Sequence, residues 1–530
     1  MKLPELKLRT ITSAFERALA AKPNSIAHVD RSGSWTYSEA FERCLRTAGG
    51  LAELGVAPGD AVAVLLDNSF DAVHALFGLG LTDRIQVPIN TAYKREFLSH
   101  VIKDSQARVL LIEDKYCDRL SVIEADVPLL TTVIVRGGDG SMLSRDRFRV
   151  VLFEQLLDSE PATMQPARPS DIQAYFYTSG TTGTSKGVIV THAQAYTYAS
   201  REDDPRSGPH ERTLVVAPMF HFAGQLYGVY QSLISIGTCV LEPVFSVSSF
   251  WSCVREHRVN NVLVLGAMAQ LLYQQEPRSD DADNSLELVY MGPLVSDVEG
   301  FKKRFGVEVG SVYGQTECGA PIMGLPETIV GGECGYPREG FECRIVDETG
   351  VDVAPGTIGE LIVRPALPWT ISIGYLNQPE ATLINRRNLW LHTGDAFRMD
   401  DTGRFFLVDR IKDALRRRGE NISSFEVERV INQYPPVLES AVIAVPSSLT
   451  EDDVKAVIVV RDGATCDPEE LIAFLLPRMP YFMVPRYVEL VKEMPRTPTQ
   501  KIQKVKLREA GVTANTWDRE AAGVVVRRES

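Results

Sequence analysis

Hydroxyl side chains, two glycines and one lysine are concentrated between Thr178 and Lys186. Glycines allow backbone N–H groups to turn inward around an anion, and serine and threonine hydroxyls donate further hydrogen bonds. Lys186 adds positive charge. A chain of phosphates is the ligand that this combination favours. The candidate phosphate contacts are Thr178, Ser179, Gly180, Thr181, Thr182, Gly183 and Lys186.

The same segment differs from the phosphate loop of P-loop NTPases. That loop requires Gly-Lys-Ser/Thr followed by a helix. Here Lys186 follows Ser185 and precedes Gly187, and the strand-like run Val188–Val190 comes next. The segment therefore joins two predicted strands. The alternative to a phosphate site is a flexible surface loop rich in serine, threonine and glycine.

Composition and charge restrict the class of protein. The formal net charge of −13 argues against nucleic acid as the main partner, because duplex binding needs a positive face. The 8 cysteines are scattered, with no Cys-x-x-Cys pair, which favours reduced thiols over a zinc site or a disulfide framework. The first residues have no signal-peptide character, and no apolar run is long enough to span a bilayer. We therefore expect a cytoplasmic enzyme.

Strand-like and helix-like runs alternate over most of the first 400 residues. This alternation predicts parallel sheets covered by helices on both faces, and two separate series indicate two doubly wound sheets. After Ile345 the short strands predict a small β-rich module, and from about Ile411 a mixed α+β domain follows. The prediction is therefore an α/β protein, with a large domain over residues 1–411 and a C-terminal domain over residues 412–530. The runs that carry this prediction include the strands Asp60–Leu66, Ile85–Ile89, Arg108–Ile112, Leu214–Ala217, Asn261–Leu265 and Leu288–Tyr290, and the helices Phe70–Leu81, Lys94–Lys103, Gln225–Ile236 and Phe425–Gln433.

Five further motifs occur along the chain in a fixed order, and with them the sequence resembles the adenylate-forming superfamily. That superfamily contains acyl-CoA synthetases, luciferases and the adenylation domains of peptide synthetases. The similarity runs essentially from end to end, and two stretches, Gln86–Tyr93 and Arg416–Glu426, are most similar to the crotonobetaine/carnitine-CoA ligase branch. The motifs are Pro218–Phe222, Tyr313–Glu317, His392–Asp395, Asp409–Asp413 continuing to Gly419–Asn421, and Pro495–Lys501.

The resemblance implies an ATP-dependent acid–thiol ligase. The carboxylic acid would react with ATP to give acyl-AMP and pyrophosphate, and coenzyme A would then accept the acyl group. Two anions meet in the first step, so positioning and charge stabilisation must dominate catalysis. Lys501 would offset the charge that grows during attack, Thr316 would bind the α-phosphate or the carboxylate, and Glu317 would hold Mg²⁺, which prefers oxygen ligands. His221 would lie at the acyl pocket, with a core histidine as the alternative.

The resemblance also assigns the remaining site residues. Asp395 and Arg410 would bind the ribose, Tyr313 would stack on adenine, and Gly292, Pro293 and Gly314 would form the rest of the nucleotide wall. Lys412 would be the hinge on which the C-terminal domain turns between the two half-reactions. The residues expected to bind CoA are Arg416, Arg417, Arg418 and Gly419. The residues expected to line the acyl pocket are Phe220, His221, Gln225, Met268, Met291 and Cys318.

Some positions depart from the family pattern. Ser185 replaces a common Pro, Gln500 precedes the catalytic Lys where Gly is usual, and Ser311 stands where an adenine-reading residue is common. Met291 adds bulk beside the acyl pocket. None of these changes removes a group that the chemistry needs. Three alternatives stay open: an enzyme that loads a carrier protein, an enzyme that stops at the adenylate, and a binding protein on the same fold. A homodimer is also left open.

Overall fold

The computed structural model describes residues 3–178, 185–201, 204, 206–295, 297–410, 415–417, 420–422, 424–447, 452–479, 481, 483–496, 502–524 and 526. Two large sheets contain the described strands that precede Phe341. Both are built mainly from parallel strands that alternate with helices along the chain, as predicted.

The first large sheet has nine strands within the described residues. Its parallel centre ends at antiparallel strands on both sides, and the turn between Glu308–Gln315 and Gly319–Gly324 lies near one edge. From edge to edge its strands are Tyr336–Pro337, Gly319–Gly324, Glu308–Gln315, Leu288–Gly292, Asn261–Leu265, Arg212–Val215, Thr238–Leu241, Ile26–Asp30 and Gly33–Thr36.

The second large sheet has eight strands in the same described ranges. The strand Ala61–Leu65 lies inside the sheet, between Ile85–Pro88 on one side and Val109–Glu113 on the other. From edge to edge its strands are Gly374–Tyr375, Lys186–Thr191, Ile172–Thr178, Ile85–Pro88, Ala61–Leu65, Val109–Glu113, Thr132–Arg136 and Arg149–Leu152.

Apolar helices join the two large sheets into one core. The helix Phe70–Leu81 is buried at every residue except Asp71, and the helix His192–Ala199 is buried throughout. Both pack in one hydrophobic cluster with strand residues from the two sheets, for example Val64 and Tyr290. Burial on nearly all sides explains why Phe70–Leu81 is apolar around most of its circumference.

Local signals in the sequence set several helix starts. Thr36 and Glu39 form a reciprocal capping box at the start of Tyr37–Glu53, and the Ser69 hydroxyl caps Phe70–Leu81. The helices of the large domain are Ile11–Ala21, Tyr37–Glu53, Phe70–Leu81, Arg95–Asp104, Cys117–Ser121, Phe153–Leu157, His192–Ala199, Gln231–Ser235, Val247–Glu256, Gly266–Tyr273, Val298–Phe305 and Pro379–Asn385.

One predicted helix differs in its geometry. The segment predicted as the helix Gln225–Ile236 begins earlier, as a π-helix over Ala223–Tyr230, and becomes α-helical at Gln231–Ser235. π-Helical turns are rare and are frequent at functional sites. This one directly follows the motif that contains His221.

Two smaller sheets follow the large ones. The β-rich module contains the strands Phe341–Val346, Gly359–Pro365, Leu391–Met399 and Phe405–Arg410. A two-stranded ladder, Leu415–Arg417 with Glu420–Ile422, leads to the C-terminal sheet. The strands of that sheet are Val437–Pro446, Asp452–Val460, Tyr487–Val491 and Trp517–Asp518, and its helices are Ser424–Ile431, Pro468–Leu475 and Lys504–Ala510. The C-terminal part of the chain therefore mixes helices and strands, in agreement with the predicted α+β class.

Candidate active site

Lys186 begins an edge-proximal strand of the eight-stranded sheet. Thr178, at the end of the preceding strand, pairs with Lys186 across the antiparallel ladder. The ammonium of Lys186 lies over the ring of Tyr375, with its nitrogen 4.8 Å from the ring centroid. A cation over an aromatic face is held electrostatically by the ring. The predicted phosphate contacts Ser179, Gly180, Thr181, Thr182 and Gly183 lie outside the described residues.

Thr316 and Glu317 occupy the turn between two strands of the nine-stranded sheet. The Tyr375 hydroxyl donates a 2.9 Å hydrogen bond to Oε1 of Glu317. The backbone carbonyl of Glu317 accepts a 3.0 Å bond from the Ser372 N–H, and the Thr316 carbonyl accepts a 2.7 Å bond from the Gln194 amide. The turn is therefore held by three partners from two separate segments, residues 372–375 and the helix His192–Ala199.

The short strand Gly374–Tyr375 connects these two charged groups. It pairs with Val188 and Ile189, directly after Lys186, while the Tyr375 side chain reaches Glu317. Arg386 binds the carbonyl and the hydroxyl of Ser372 beside them. Burial lowers the pKa of the Arg386 guanidinium, and the nearby Tyr375 and Glu317 act in the opposite direction. The result is a compact group of charges where strands of the two large sheets meet.

Asp395 lies in the β-rich module, on the strand Leu391–Met399. Its Oδ2 accepts hydrogen bonds of 2.7 Å from the Tyr313 hydroxyl and 2.6 Å from the Gln315 amide. Burial, and then the Asp395 carboxylate, raise the pKa of the Tyr313 phenol. Arg410 is the cross-strand partner of Asp395 in the sheet. The structure thus brings Tyr313, Asp395 and the Arg410 backbone together, and their role in nucleotide binding stays a prediction.

Close packing explains the glycine in the Tyr313–Glu317 motif. A side chain at Gly314 would place its Cβ 2.4 Å from the carbonyl oxygen of Gly319 on the facing strand. Gly292 ends its strand, and a Cβ there would lie 2.8 Å from the Val312 carbonyl oxygen. Both positions need glycine because another backbone approaches closely.

We call Lys186, Glu317 and Asp395 the charged group. A cavity of about 1040 Å³ lies beside it. Phe220, Met268, Met291 and Pro293, all predicted site residues, line it. Ser311 and Val312 also line it, whereas Lys186, Glu317 and Asp395 do not. The strand Glu308–Gln315 therefore connects the cavity to the charged group, since the residues that follow Val312 contact Asp395.

The cavity wall lacks three residues that were expected in the acyl pocket. Cys318 is fully buried in a hydrophobic cluster with Tyr313. Gln225 is also fully buried, and its amide donates a 2.5 Å bond to Gln86. His221 accepts a 3.2 Å bond at Nδ1 from the Ala223 N–H. The π-helix turns Gln225 toward the second sheet, away from the cavity.

Some of the predicted site residues belong to other parts of the chain than the described ones. Lys412, Arg418, Gly419 and Lys501 lie outside the described residues, and the side chains of Arg410, Arg416 and Arg417 are likewise outside the description. Conversely, sequence reasoning missed Gln194, Tyr375 and Arg386. The sequence does contain one signal for Tyr375. The Gly374–Tyr375 pair comes shortly before the helix Pro379–Asn385, which begins with a proline.

The donor set of the charged group fits a magnesium nucleotide. Glu317 offers a carboxylate and its neighbour Thr316 a hydroxyl, which are hard oxygen donors, and Lys186 offers a cation for phosphate. Among the described residues there is no cluster of three or more histidine, cysteine, aspartate or glutamate side chains that could hold a metal ion. A magnesium ion held at Glu317 would supply positive charge beside bound phosphate.

The fold and the site together define an adenylate-forming enzyme. The family model described as "AMP-binding enzyme" matches residues 15–376, and the model of the AMP-binding enzyme C-terminal domain matches residues 426–501. The chain belongs to the AMP-binding enzyme family.

Relatives of known activity support this assignment. The chain is 31% identical over 499 residues to the crotonobetaine/carnitine–CoA ligase of Escherichia coli O8 (strain IAI1), with 89% of this chain and 93% of the relative covered. It is 31% identical over 493 residues to the ligase of the same name from Citrobacter koseri, with the same coverage of both chains.

Solved structures share the whole architecture. The anthranilate CoA ligase AuaEII in complex with anthranoyl-AMP superposes with a TM-score of 0.88 at 25% identity, covering 99% of this chain and 100% of that one. ATP-bound MatB from Rhodopseudomonas palustris gives a TM-score of 0.83 at 25% identity, covering 94% and 99%. The expected superfamily, fold and class of enzyme, an AMP-forming acid–CoA ligase, are confirmed. Among the helices of the described ranges, none is long and apolar enough to cross a bilayer.

Proposed function

We propose that this chain activates a carboxylic acid with an apolar, uncharged body and transfers it to coenzyme A. One observation carries the proposal: the strand Glu308–Gln315 borders the apolar cavity at Ser311 and Val312 and ends at the Thr316–Glu317 turn. An acid whose body fills the cavity would therefore direct its carboxylate along this strand toward the phosphate-binding groups.

The adenylation half-reaction is assigned to the charged group. Lys186 and the hydroxyls from Thr178 onward would hold the leaving pyrophosphate, and Asp395 would accept the ribose hydroxyls. Glu317 would hold magnesium, which supplies positive charge to the phosphate oxygens when bound. Lys501 would stabilise the charge that develops as the carboxylate attacks. Thr316, at the turn, would orient the reacting groups.

The chemistry of the cavity supports an uncharged acid body. Its apolar lining residues include Val216, Pro218, Phe220, Val244, Phe245, Met268, Leu271 and Met291. A cationic tail would need a carboxylate that is free to pair with it, because an unpaired buried charge is costly.

The carboxylates on the cavity wall already have partners. Asp67 binds Lys115 and accepts a 2.7 Å bond from the Tyr116 hydroxyl. Glu333 accepts backbone N–H bonds from Val330 and Gly331. The other two, Glu428 and Glu439, bind Lys504 and Arg496 respectively. We therefore favour a neutral tail, although the relatives are named for crotonobetaine and carnitine.

A route for coenzyme A is proposed at the carboxyl ends of the eight-stranded sheet. Chain order reverses around Ala61–Leu65, and crevices at such reversals are the usual ligand sites of open α/β sheets. Residues that follow these strands line the same cavity: Asp67, Asn68, Asn90, Thr91, Lys115 and Tyr116. Rotation of the C-terminal domain, residues 412–530, about Lys412 would bring Gly419 and Arg416 to Arg418 toward this crevice.

A matched pair of acids tests the substrate class. Pyrophosphate release should be faster with the tert-butyl analogue of crotonobetaine, in which carbon replaces the quaternary nitrogen, than with crotonobetaine itself. We expect a preference of at least about tenfold in kcat/KM, since one unpaired charge costs more than 1.4 kcal/mol. Faster reaction with crotonobetaine would contradict the neutral-tail proposal. In the same assay, free coenzyme A should outperform a phosphopantetheinyl carrier protein as acceptor. The cytoplasmic location and the homodimer stay predictions.

A further inference from the structure

We propose that Tyr375 is a positioning residue for adenylation, and that its ring and its hydroxyl have separate tasks. This inference rests on the proposed roles of Lys186 in phosphate binding and Glu317 in magnesium binding. Tyr375 contacts both: its ring lies under the Lys186 ammonium at 4.8 Å, and its hydroxyl donates to Glu317 at 2.9 Å. One side chain therefore connects the two groups that handle pyrophosphate and metal.

The hydroxyl orients the carboxylate. It binds Oε1 of Glu317, while Oε2 accepts no hydrogen bond from any of the described residues. A carboxylate fixed through one oxygen presents the other in a defined direction, which a metal ligand requires. Without this bond the Glu317 side chain would be free to rotate. Magnesium binding would then be weakened by the conformational entropy lost in fixing that side chain.

The ring keeps the opposite charges apart. Lys186 and Glu317 are not within ion-pair distance of each other in the described part of the chain, although both contact Tyr375. A direct Lys186–Glu317 pair would have to be broken before phosphate and metal could bind. The ring holds the cation by its π face instead, an interaction that is weaker than a desolvated ion pair and is readily exchanged for phosphate.

The backbone fixes Tyr375 firmly enough for this role. Its N–H donates a 2.9 Å bond to the Thr382 hydroxyl, and the next N–H, of Leu376, donates a 2.8 Å bond to the Gly187 carbonyl. Gly374 has a φ of +146°, and a Cβ there would lie 2.6 Å from the Thr382 methyl. The strand therefore places Tyr375 by contacts on both sides.

Two substitutions separate the two tasks. Tyr375→Phe keeps the ring and removes the hydroxyl, whereas Tyr375→Leu removes both. Binding of a non-hydrolysable ATP analogue is measured by calorimetry on the full chain, with and without Mg²⁺, and the Mg²⁺ dependence of ATP–pyrophosphate exchange is measured in parallel. Tyr375→Phe should weaken Mg²⁺-dependent nucleotide binding about tenfold, as expected for a hydrogen bond to a charged group, and leave metal-free binding unchanged. Tyr375→Leu should also weaken metal-free binding, by about threefold.

A matched control separates positioning from a general effect of losing a tyrosine hydroxyl. Tyr273 donates a 2.6 Å bond to Asp297, remote from Glu317 along the chain, so Tyr273→Phe removes the same kind of bond. Its nucleotide binding should equal that of the wild type. Glu317→Gln tests the underlying assignment.

The outcomes distinguish this inference from the proposed function. If Glu317→Gln weakens Mg²⁺-dependent binding and Tyr375→Phe does not, the role of Tyr375 is wrong and the proposed function stands. If neither substitution changes the Mg²⁺ dependence, the metal role of Glu317 is wrong and the inference falls with it. Equal losses in both Tyr375 variants, with and without Mg²⁺, would show a merely structural residue and would also overturn it.

Discussion

The buried amide of Gln194 donates a 2.7 Å hydrogen bond to the backbone carbonyl of Thr316. Gln194 lies on the helix His192–Ala199, which is packed between the two large sheets, and Thr316 lies in the turn that also carries Glu317. The bond therefore ties the turn to the rigid centre of the molecule. Its loss would leave the half-buried Thr316 carbonyl without this partner.

Gln194→Ala should slow adenylation without abolishing it. An unsatisfied carbonyl costs about 1–3 kcal/mol, and a turn that moves misplaces both Thr316 and Glu317. We expect a fall of about tenfold or more in the kcat of ATP–pyrophosphate exchange. The control is Gln275→Ala, since the exposed Gln275 amide also binds a backbone carbonyl, that of Leu271, at 3.1 Å. Equal effects of the two substitutions would contradict a specific role for Gln194.

Lys501→Ala should separate the two half-reactions. The lysine is predicted to offset charge in the attack on the α-phosphorus, so its removal should reduce pyrophosphate exchange by at least about 100-fold. Thioester formation from supplied acyl-adenylate should continue at the wild-type rate. Gly419→Leu should show the opposite pattern, with the thiolation step impaired and exchange retained. Wild-type exchange in the Lys501 variant would refute its catalytic assignment.

The large-scale fold was predictable because it depends on patterns repeated along the chain. Alternating strand and helix signals predicted two doubly wound sheets, and capping residues such as Thr36 and Ser69 lie where helices begin. The geometry of the π-helix Ala223–Tyr230 was not predictable, because one extra residue per turn leaves an apolar segment apolar. That local change explains why Gln225 points at Gln86 rather than into the cavity.

The supporting residues of the site were harder to predict than its motifs. Tyr375 is 58 residues from Glu317 along the chain, and Gln194 is 122 residues from Thr316. Neither separation produces any periodic signal, since each contact depends on how two sheets and their edge strands meet in space. A motif identifies a charged side chain, whereas only the fold identifies the neutral residues that hold it in place.

A buried histidine pair should make stability depend on pH. Nδ1 of His28 lies 3.2 Å from Nε2 of His74, and Arg43 donates to the other His74 nitrogen at 3.4 Å. Burial lowers the pKa of His28 to about 3 from its usual 6.5. Burial, and then the neighbouring His28 and Arg43, lower the pKa of His74 well below that value. Both imidazoles are therefore neutral in the folded protein at neutral pH.

The sign of the effect follows from proton binding. Below pH 6.5 these histidines bind protons in the unfolded chain but stay neutral in the folded chain. Their contribution to the free energy of unfolding is therefore fully present above pH 6.5 and falls as the pH decreases toward 3. Each histidine contributes up to about 1.4 kcal/mol per pH unit to the fall in the free energy of unfolding. Urea unfolding at several pH values gives the free energy of unfolding as a function of pH. Below pH 6.5 this free energy should fall less steeply in the double variant His28→Asn, His74→Asn than in the wild type.

The control is His210→Asn, at an exposed histidine. Equal pH dependence in the wild type, the double variant and the control would contradict this account.

Met291→Ala should shift the enzyme toward longer acids. Met291 is fully buried in the strand Leu288–Gly292 and lines the cavity, so truncation enlarges the space available to the acyl chain. Each additional methylene that becomes buried is worth about 0.8 kcal/mol, or about fourfold in kcat/KM. The measurement is pyrophosphate release across a series of straight-chain acids, with the optimum chain length expected to increase by about one to three carbons.

Met323→Ala provides the matched control, because Met323 is buried in a nearby strand of the same sheet and does not line the cavity. Both variants should lose about 2–5 kcal/mol of stability. An unchanged optimum in Met291→Ala, or the same shift in both variants, would mean that Met291 does not limit the acyl pocket.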